Sequence, residues 1–214
     1  MLELFEQGGP VMYPLMLASL LMVIIIIERL FMLRQKRIII PEIINIIDNI
    51  QSTYDIELAK NICAKYNGPL PNLIRIGLES ESLQKNEIKE LIENEGRQEI
   101  RNLEKWLGVL ETIAVSGPLL GLLGTVIGMI NVFKVITAQG IGQASALASG
   151  IYQALFTTVF GLIIGIIALI FFNYFTHKAE NFVLDIEKNS NRLIYILEKI
   201  KNKTGEVVEH ATVK

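Results

Sequence analysis

Two runs of this chain carry small and hydroxyl-bearing residues at steps of three and four. The first is Gly117, Gly121, Gly124, Thr125 and Gly128. The second is Gly150, Ala154, Thr157, Thr158, Gly161 and Gly165. Steps of three and four put each set on one helix face. Thr125 and Thr158 lie about equally far from the Gly140–Gly142 loop, so they fall level in an antiparallel pair, with Thr157 beside them and Gln153 one turn outward. The glycines let helix backbones approach closely, and the hydroxyls can bond to their own helices' carbonyls. A ring of such hairpins would instead line a narrow polar interior. That interior holds no acid or base of its own, so a proton path through it needs a titratable group from elsewhere.

The elements that must position these residues are membrane spans. The 214-residue chain is 51% hydrophobic with a mean hydropathy of +0.42. Its apolar residues cluster: 10–27, 112–133 and 144–176 contain no charge. A spanning helix needs about 20 such residues, so three spans fit. The acidic leader Met1–Glu6 and the basic flank after the first run read as a retained anchor rather than a cleaved signal. Lys and Arg set orientation. None precedes the first span, four follow it closely (Arg29, Arg34, Lys36, Arg37), and the tail carries Lys178, Lys188, Arg192 and Lys199. The expected organisation is an outer N-terminus (1–9), spans at 10–28, 108–134 and 149–175, a cytosolic helical region (29–107), an outer loop (135–148) and a cytosolic C-terminal helix and tail (176–214). Span one is bulky on nearly every face and should be peripheral; the small residues make the other two central.

Between the spans, 41–51 and 55–66 read as short amphipathic helices, and Gly68-Pro69-Leu70-Pro71 reads as a break before 72–80. Asn86 reads as the cap of a longer helix with no breaker before Pro118. Continuous from Asn86 to Phe133, that helix would be about 70 Å long, with Gly96 its weak point. Apolar spacing after Asn181 extends span three, and 202–214 is expected to fray. No strand alternation appears, so the protein reads as all-α.

The remaining polar residues divide simply. Glu111 is either an interfacial charge or the inner mouth of a polar path. Glu28 and Arg29 read as anchors or a local pair, and Trp106 and Tyr174 as members of an aromatic belt. Pro118 should free a carbonyl beside the glycine stripe. His177 and His210 are too far apart in sequence to suggest a metal, and Cys63 reads as a small buried residue. Neither histidine lies inside a span, and metal-ligand spacing, a phosphate loop and paired intramembrane carboxylates are missing, so the expectation is no enzyme, no cofactor and no metal. No basic patch suits nucleic acid; the expected surroundings are membrane lipid.

Read in order, 110–129 (LETIAVSGPLLGLLGTVIGM) strongly resembles the second-span signature of the MotA/TolQ/ExbB proton-channel family, and 150–162 (GIYQALFTTVFGL) resembles its third-span signature. Ile27-Glu28-Arg29-Leu30 is similar to the family's first-span end. Length and three spans favour the ExbB/TolQ branch over the four-span flagellar one. The resemblance implies a homopentamer in the bacterial inner membrane. Spans two and three would line a pore holding the single spans of two copies of an ExbD/TolR-like partner, whose aspartate would be the titratable group. Thr125 and Thr158 match the family's pore threonines. Gln153 departs from it, since familiar ExbB and TolQ proteins carry glutamate there, and glutamine cannot titrate. The implied function is the ExbB-like channel subunit of a proton-driven motor that works through a TonB-like protein. The alternatives are a TolQ-like envelope-maintenance subunit and a non-conducting membrane scaffold.

Overall fold

A computed structural model describes residues 9–50, 52–139 and 144–212. Every regular element among them is helical. They are α1 (Met12–Met32), α2 (Gln35–Ile38), α3 (Pro41–Asn49), α4 (Thr53–Cys63), α5 (Pro69–Glu79), α6 (Lys85–Glu104), α7 (Leu107–Gln139) and α8 (Ala144–Thr212). The acidic leader and the Gly140–Gly142 loop lie outside the described residues, as does the side chain of His210. α1, α7 and α8 contain the three stretches long and apolar enough to cross a membrane.

The chain divides into two compact units. The first comprises the described residues of Met1–Leu30 and Trp106–Thr176. Its core takes one face of α1 (Met12, Leu15, Met22, Ile25, Ile26) against Leu110 and Ile113 of α7 and Ile164, Ala168 and Phe175 of α8. The opposite faces expose bulky apolar side chains, among them Leu17 and Ile24 on α1, Leu119 and Val126 on α7, and Leu162 and Ile166 on α8. In water those faces would forfeit roughly 1.5–3 kcal/mol per side chain; in hydrocarbon they cost nothing.

The second unit comprises Phe31–Lys105 and His177–Lys214. Its short helices bury paired apolar residues one turn apart, such as Ile43 with Ile47 and Ile74 with Leu78, against Phe182, Ile186 and Leu193 of α8. Ser52 caps α4: its hydroxyl accepts from the Asp55 N–H at 3.4 Å, and the Asp55 carboxylate accepts from the Ser52 N–H at 2.9 Å. Charged contacts fix α8 within this unit. Lys85 meets Glu198 at 2.6 Å and Arg192 meets Asp48 at 2.9 Å, while the Lys201 ammonium donates to the carbonyls of Ser82 and Leu83. Burial pulls the Lys60 ammonium downward, but its hydrogen bond and charge contact with Glu81 outweigh that and hold it above the ordinary lysine range.

Four boundaries differ from the sequence reading. The break between α4 and α5 is there, but it covers 64–68 and ends at Gly68: α5 starts at Pro69, because a proline in the first turn lacks only an N–H that has no helical acceptor anyway. α6 starts one residue before Asn86, and the Glu87 carboxylate accepts from the Gln84 N–H at 2.9 Å. The long helix is not continuous. It stops at Glu104 and resumes at Leu107, with Trp106 at φ 67°. At the far end, helix continues to Thr212 instead of fraying from Asn202.

Candidate functional site: the glycine-lined hairpin

Within the first unit, α7 and the N-terminal part of α8 approach so closely that backbone meets backbone. A methyl carbon added at Gly161 would lie 2.6 Å from the Gly117 carbonyl oxygen and 2.8 Å from the Gly121 Cα. One added at Gly121 would lie 3.0 Å from the Thr158 Cα, and one at Gly117 would lie 3.2 Å from the Gly165 nitrogen. Further along, Gly124 faces the Thr157 side chain and Gly128 faces Ala154. The pairing is antiparallel, running from Gly117 with Gly165 to Gly128 with Gly150. Two lipid-facing helices gain nothing from the hydrophobic effect by meeting, so close packing of this kind is what holds them.

Pro118 belongs to the same contact. It sits inside α7 and cannot donate to the Ala114 carbonyl four residues back. A methyl at Gly165 would lie 3.1 Å from that oxygen and 2.6 Å from the proline Cδ. Gly165 therefore leaves the proline ring and the freed carbonyl in direct reach of the α8 backbone.

The three threonines use their hydroxyls differently. Thr158 donates across the hairpin to the Gly121 carbonyl at 2.9 Å. Thr125 donates back to Leu122 within its own helix at 2.6 Å. Thr157 donates to the Gln153 carbonyl at 2.8 Å and is 0% exposed, closed in against Gly124. Thr125 and Thr158 are half-buried. A hydroxyl donates once and accepts twice, so each of those two still offers lone pairs to an incoming donor.

The Gln153 amide lies against the chain's N-terminal flank: a methyl added at Gly9 (φ +68°) would stand 2.7 Å from its Nε2. Glu111 is exposed on α7. Arg29 is only 1% exposed and donates to the Glu28 carboxylate at 2.9 Å, so a local ion pair ends the charge-free part of α1. Trp106 and Tyr174 are both exposed. The hairpin thus sets two half-buried hydroxyls along a backbone contact in stretches without a carboxylate, histidine, lysine or arginine. It can solvate a proton donor brought alongside, but cannot itself take up and release the proton.

Sequence reasoning missed the Gly9–Gln153 contact and the burial of Thr157. The second had a signal: neighbouring helix residues point about 100° apart, so Thr157 and Thr158 meet α7 at different points, Gly124 and Gly121, and need not be equally buried.

The MotA/TolQ/ExbB proton channel family model matches residues 65–188. The chain is 30% identical over 188 residues to an ExbB homolog of Methanothermobacter thermautotrophicus, covering 87% of this chain and 66% of that one. It is 33% identical over 174 residues to an ExbB-like protein of Synechocystis sp., covering 78% and 81%. Over 83 residues it is 35% identical to the Tol-Pal system protein TolQ of Pseudomonas aeruginosa, covering 39% and 36%. Three apolar spans and a family of transport rather than enzyme proteins make this a multi-pass inner-membrane protein. The glycine hairpin lies inside the matched region, and the chain belongs to the MotA/TolQ/ExbB proton channel family.

Proposed function

We propose that this chain is the ExbB-like channel subunit of a proton-motive-force-driven motor, not an enzyme, and that copies of it form a homopentamer around an ExbD/TolR-like single-span partner. The observation that carries the reading is the half-buried pair Thr125 and Thr158 on a hairpin whose charge-free stretches hold no carboxylate, histidine, lysine or arginine. The partner supplies the missing carboxyl. When that acid faces the hydroxyls it is solvated and can ionise; once protonated, it moves past apolar wall at far lower cost. Each elementary charge crossing 100 mV releases about 2.3 kcal/mol, so a few protons per cycle supply useful work. Glu111 stands at the cytosolic approach to this path, and a TonB-like protein carries the motion to outer-membrane transport.

Thr158 is the residue to test. Thr158→Val keeps the shape but removes the hydroxyl that bonds the Gly121 carbonyl, Thr158→Ala removes the hydroxyl and its methyl, and Thr158→Ser keeps the hydroxyl. Gradient-driven uptake should fall about tenfold in the valine and alanine variants, as expected for one lost buried hydrogen bond, and return with serine. Wild-type uptake in both the valine and alanine variants removes Thr158 from the path.

The match to TolQ favours a second output for the same machinery, maintenance of the cell envelope. A deletion strain separates the two: iron starvation follows from the first, detergent sensitivity from the second. A third reading, a non-conducting scaffold, draws on the fact that the hydroxyls of Thr125, Thr157 and Thr158 are all already bonded to carbonyls. It expects wild-type behaviour from Thr125→Val and no need for a partner acid.

A further inference from the structure

α1 carries bulky apolar side chains on nearly every face. The face it seats on the hairpin buries Met12, Leu15, Met22, Ile25 and Ile26, while Leu17, Leu20, Ile24 and Ile27 are exposed on the other. Its only small residues are Ala18 and Ser19, both half-buried. Lipid tails solvate either face equally well, so the hydrophobic effect does not choose how the helix is turned. At the far end Arg29, only 1% exposed, pairs with Glu28, and that charge fixes the helix there. The 21 residues of α1 span about 30 Å, and a rod held at one end still swings at the other.

That other end meets the hairpin at Gly9 and Gln153. Two constraints make residue 9 a glycine. Its φ is +68°, and the place of a side-chain carbon is already taken, 2.7 Å from the Gln153 Nε2 and 3.3 Å from its Cδ. Both partners are themselves anchored. The Gly9 carbonyl accepts from the Met12 N–H at 3.1 Å, so Gly9 moves with the first turn of α1. Gln153 precedes Ala154, which is 2% exposed and packed on Gly128 of α7. Its own carbonyl accepts from Thr157, which Gly124 closes in. The amide is therefore a strut from the α7–α8 contact to the start of α1. A single polar side chain can set the register of helices whose other contacts are all apolar.

We propose that Gln153 is a positioning residue: its amide, seated in the space that Gly9 leaves, fixes which face the start of α1 turns to the hairpin. This duty requires no titration, so a glutamine performs it in full. It concerns the three spans of one copy and holds whether or not the hairpin carries protons.

The test uses the full chain in detergent and reads the rotation of α1 from two single-cysteine reporters, Met12→Cys and Met16→Cys. Met12 is 5% exposed and Met16 46%, and the native Cys63 is buried. N-ethylmaleimide should label Met16→Cys about tenfold faster than Met12→Cys, in line with those exposures. Gln153→Ala removes the strut, and Gly9→Val displaces it from the opposite side. Each should cut the labelling ratio to roughly a third or less while the circular dichroism stays as in wild type. The two changes act on different partners, so either one that folds decides the matter. A ratio that stays above about half of its starting value overturns the proposal and leaves the rotation to Ala18, Ser19 and Arg29. A starting ratio near one overturns it too, since α1 would then have no preferred face. Labelling needs no transport, so failure of the proton-channel reading would leave this result untouched.

Discussion

Gly161 is where the two backbones of the hairpin have least room, because the atoms that a side chain there would strike are the Gly117 carbonyl and the Gly121 Cα. A flexible side chain can swing away; a backbone inside a helix cannot. Gly161→Ala should therefore cost about 1–3 kcal/mol, the usual penalty for overpacking, and lower the melting temperature of the detergent-solubilised protein by several degrees. Gly108 is the control on the same helix, α7. Nothing lies within 4 Å of a methyl added there, so Gly108→Ala should be neutral or gain up to about 1 kcal/mol from helix propensity. Equal melting temperatures for the two variants would mean that the close contact does not hold the helices together. The small-residue stripes themselves were legible as faces from spacing alone. Spacing could not say which neighbour each hydroxyl would choose, since Thr158 bonds across the hairpin to Gly121 while Thr125 bonds within its own helix. That choice depends on the depth of the partner helix, which no local pattern encodes.

At the scale of elements, the spans and the short helices of the second unit follow from apolar periodicity, and their boundaries do not. Periodicity marks which face is buried, whereas an end is set by one or two backbone angles. The clearest case is the stop between α6 and α7. Glu104, Lys105, Trp106 and Leu107 contain no proline or glycine, yet Trp106 takes φ 67° and the chain reopens as a new helix whose first N–H acceptor is the Trp106 carbonyl. A left-handed residue other than glycine carries roughly 1–2 kcal/mol of strain. This reverses the usual ranking of two small residues. In a continuous helix, Trp106→Ala would be more stable than Trp106→Gly by about 1 kcal/mol. At a left-handed position the glycine variant should be the more stable by a similar amount. Thermal unfolding of the two variants, compared with each other rather than with wild type, isolates the backbone effect from the loss of the indole. An alanine variant that melts higher than the glycine variant would restore the uninterrupted helix.

At the scale of the whole molecule, the two units differ in what their surfaces ask for. The first leaves bulky apolar side chains exposed on α1, α7 and α8, and the second exposes charged and polar ones along α4 and α6. Hydrocarbon suits the former and water the latter, but burial is symmetric with respect to the two sides of a membrane, so it does not say which side holds the second unit. None of the Lys and Arg residues lies in the first 28 positions, and Arg29, Arg34, Lys36 and Arg37 follow at once; from that bias we propose that the second unit is retained in the cytosol and that the chain after α7 reaches the outer side. Two exposed positions test this, Ala138 near the end of α7 and Gln98 on α6. In intact spheroplasts, a membrane-impermeant maleimide should label Ala138→Cys and should reach Gln98→Cys only after detergent. The native Cys63 will not confuse the readout. It is buried, and burial pushes its thiol from 9.0 up to about 11, so its reactive thiolate at neutral pH is about 100-fold scarcer than that of an open cysteine. The sign of that shift sets the working range. The thiol favours the folded state below pH 9 and loses that preference as pH rises toward 11, so labelling at pH 7 leaves Cys63 silent until the chain is denatured. Labelling of Gln98→Cys in intact spheroplasts would place the second unit outside, away from the face at which the proposed proton path has its inner mouth.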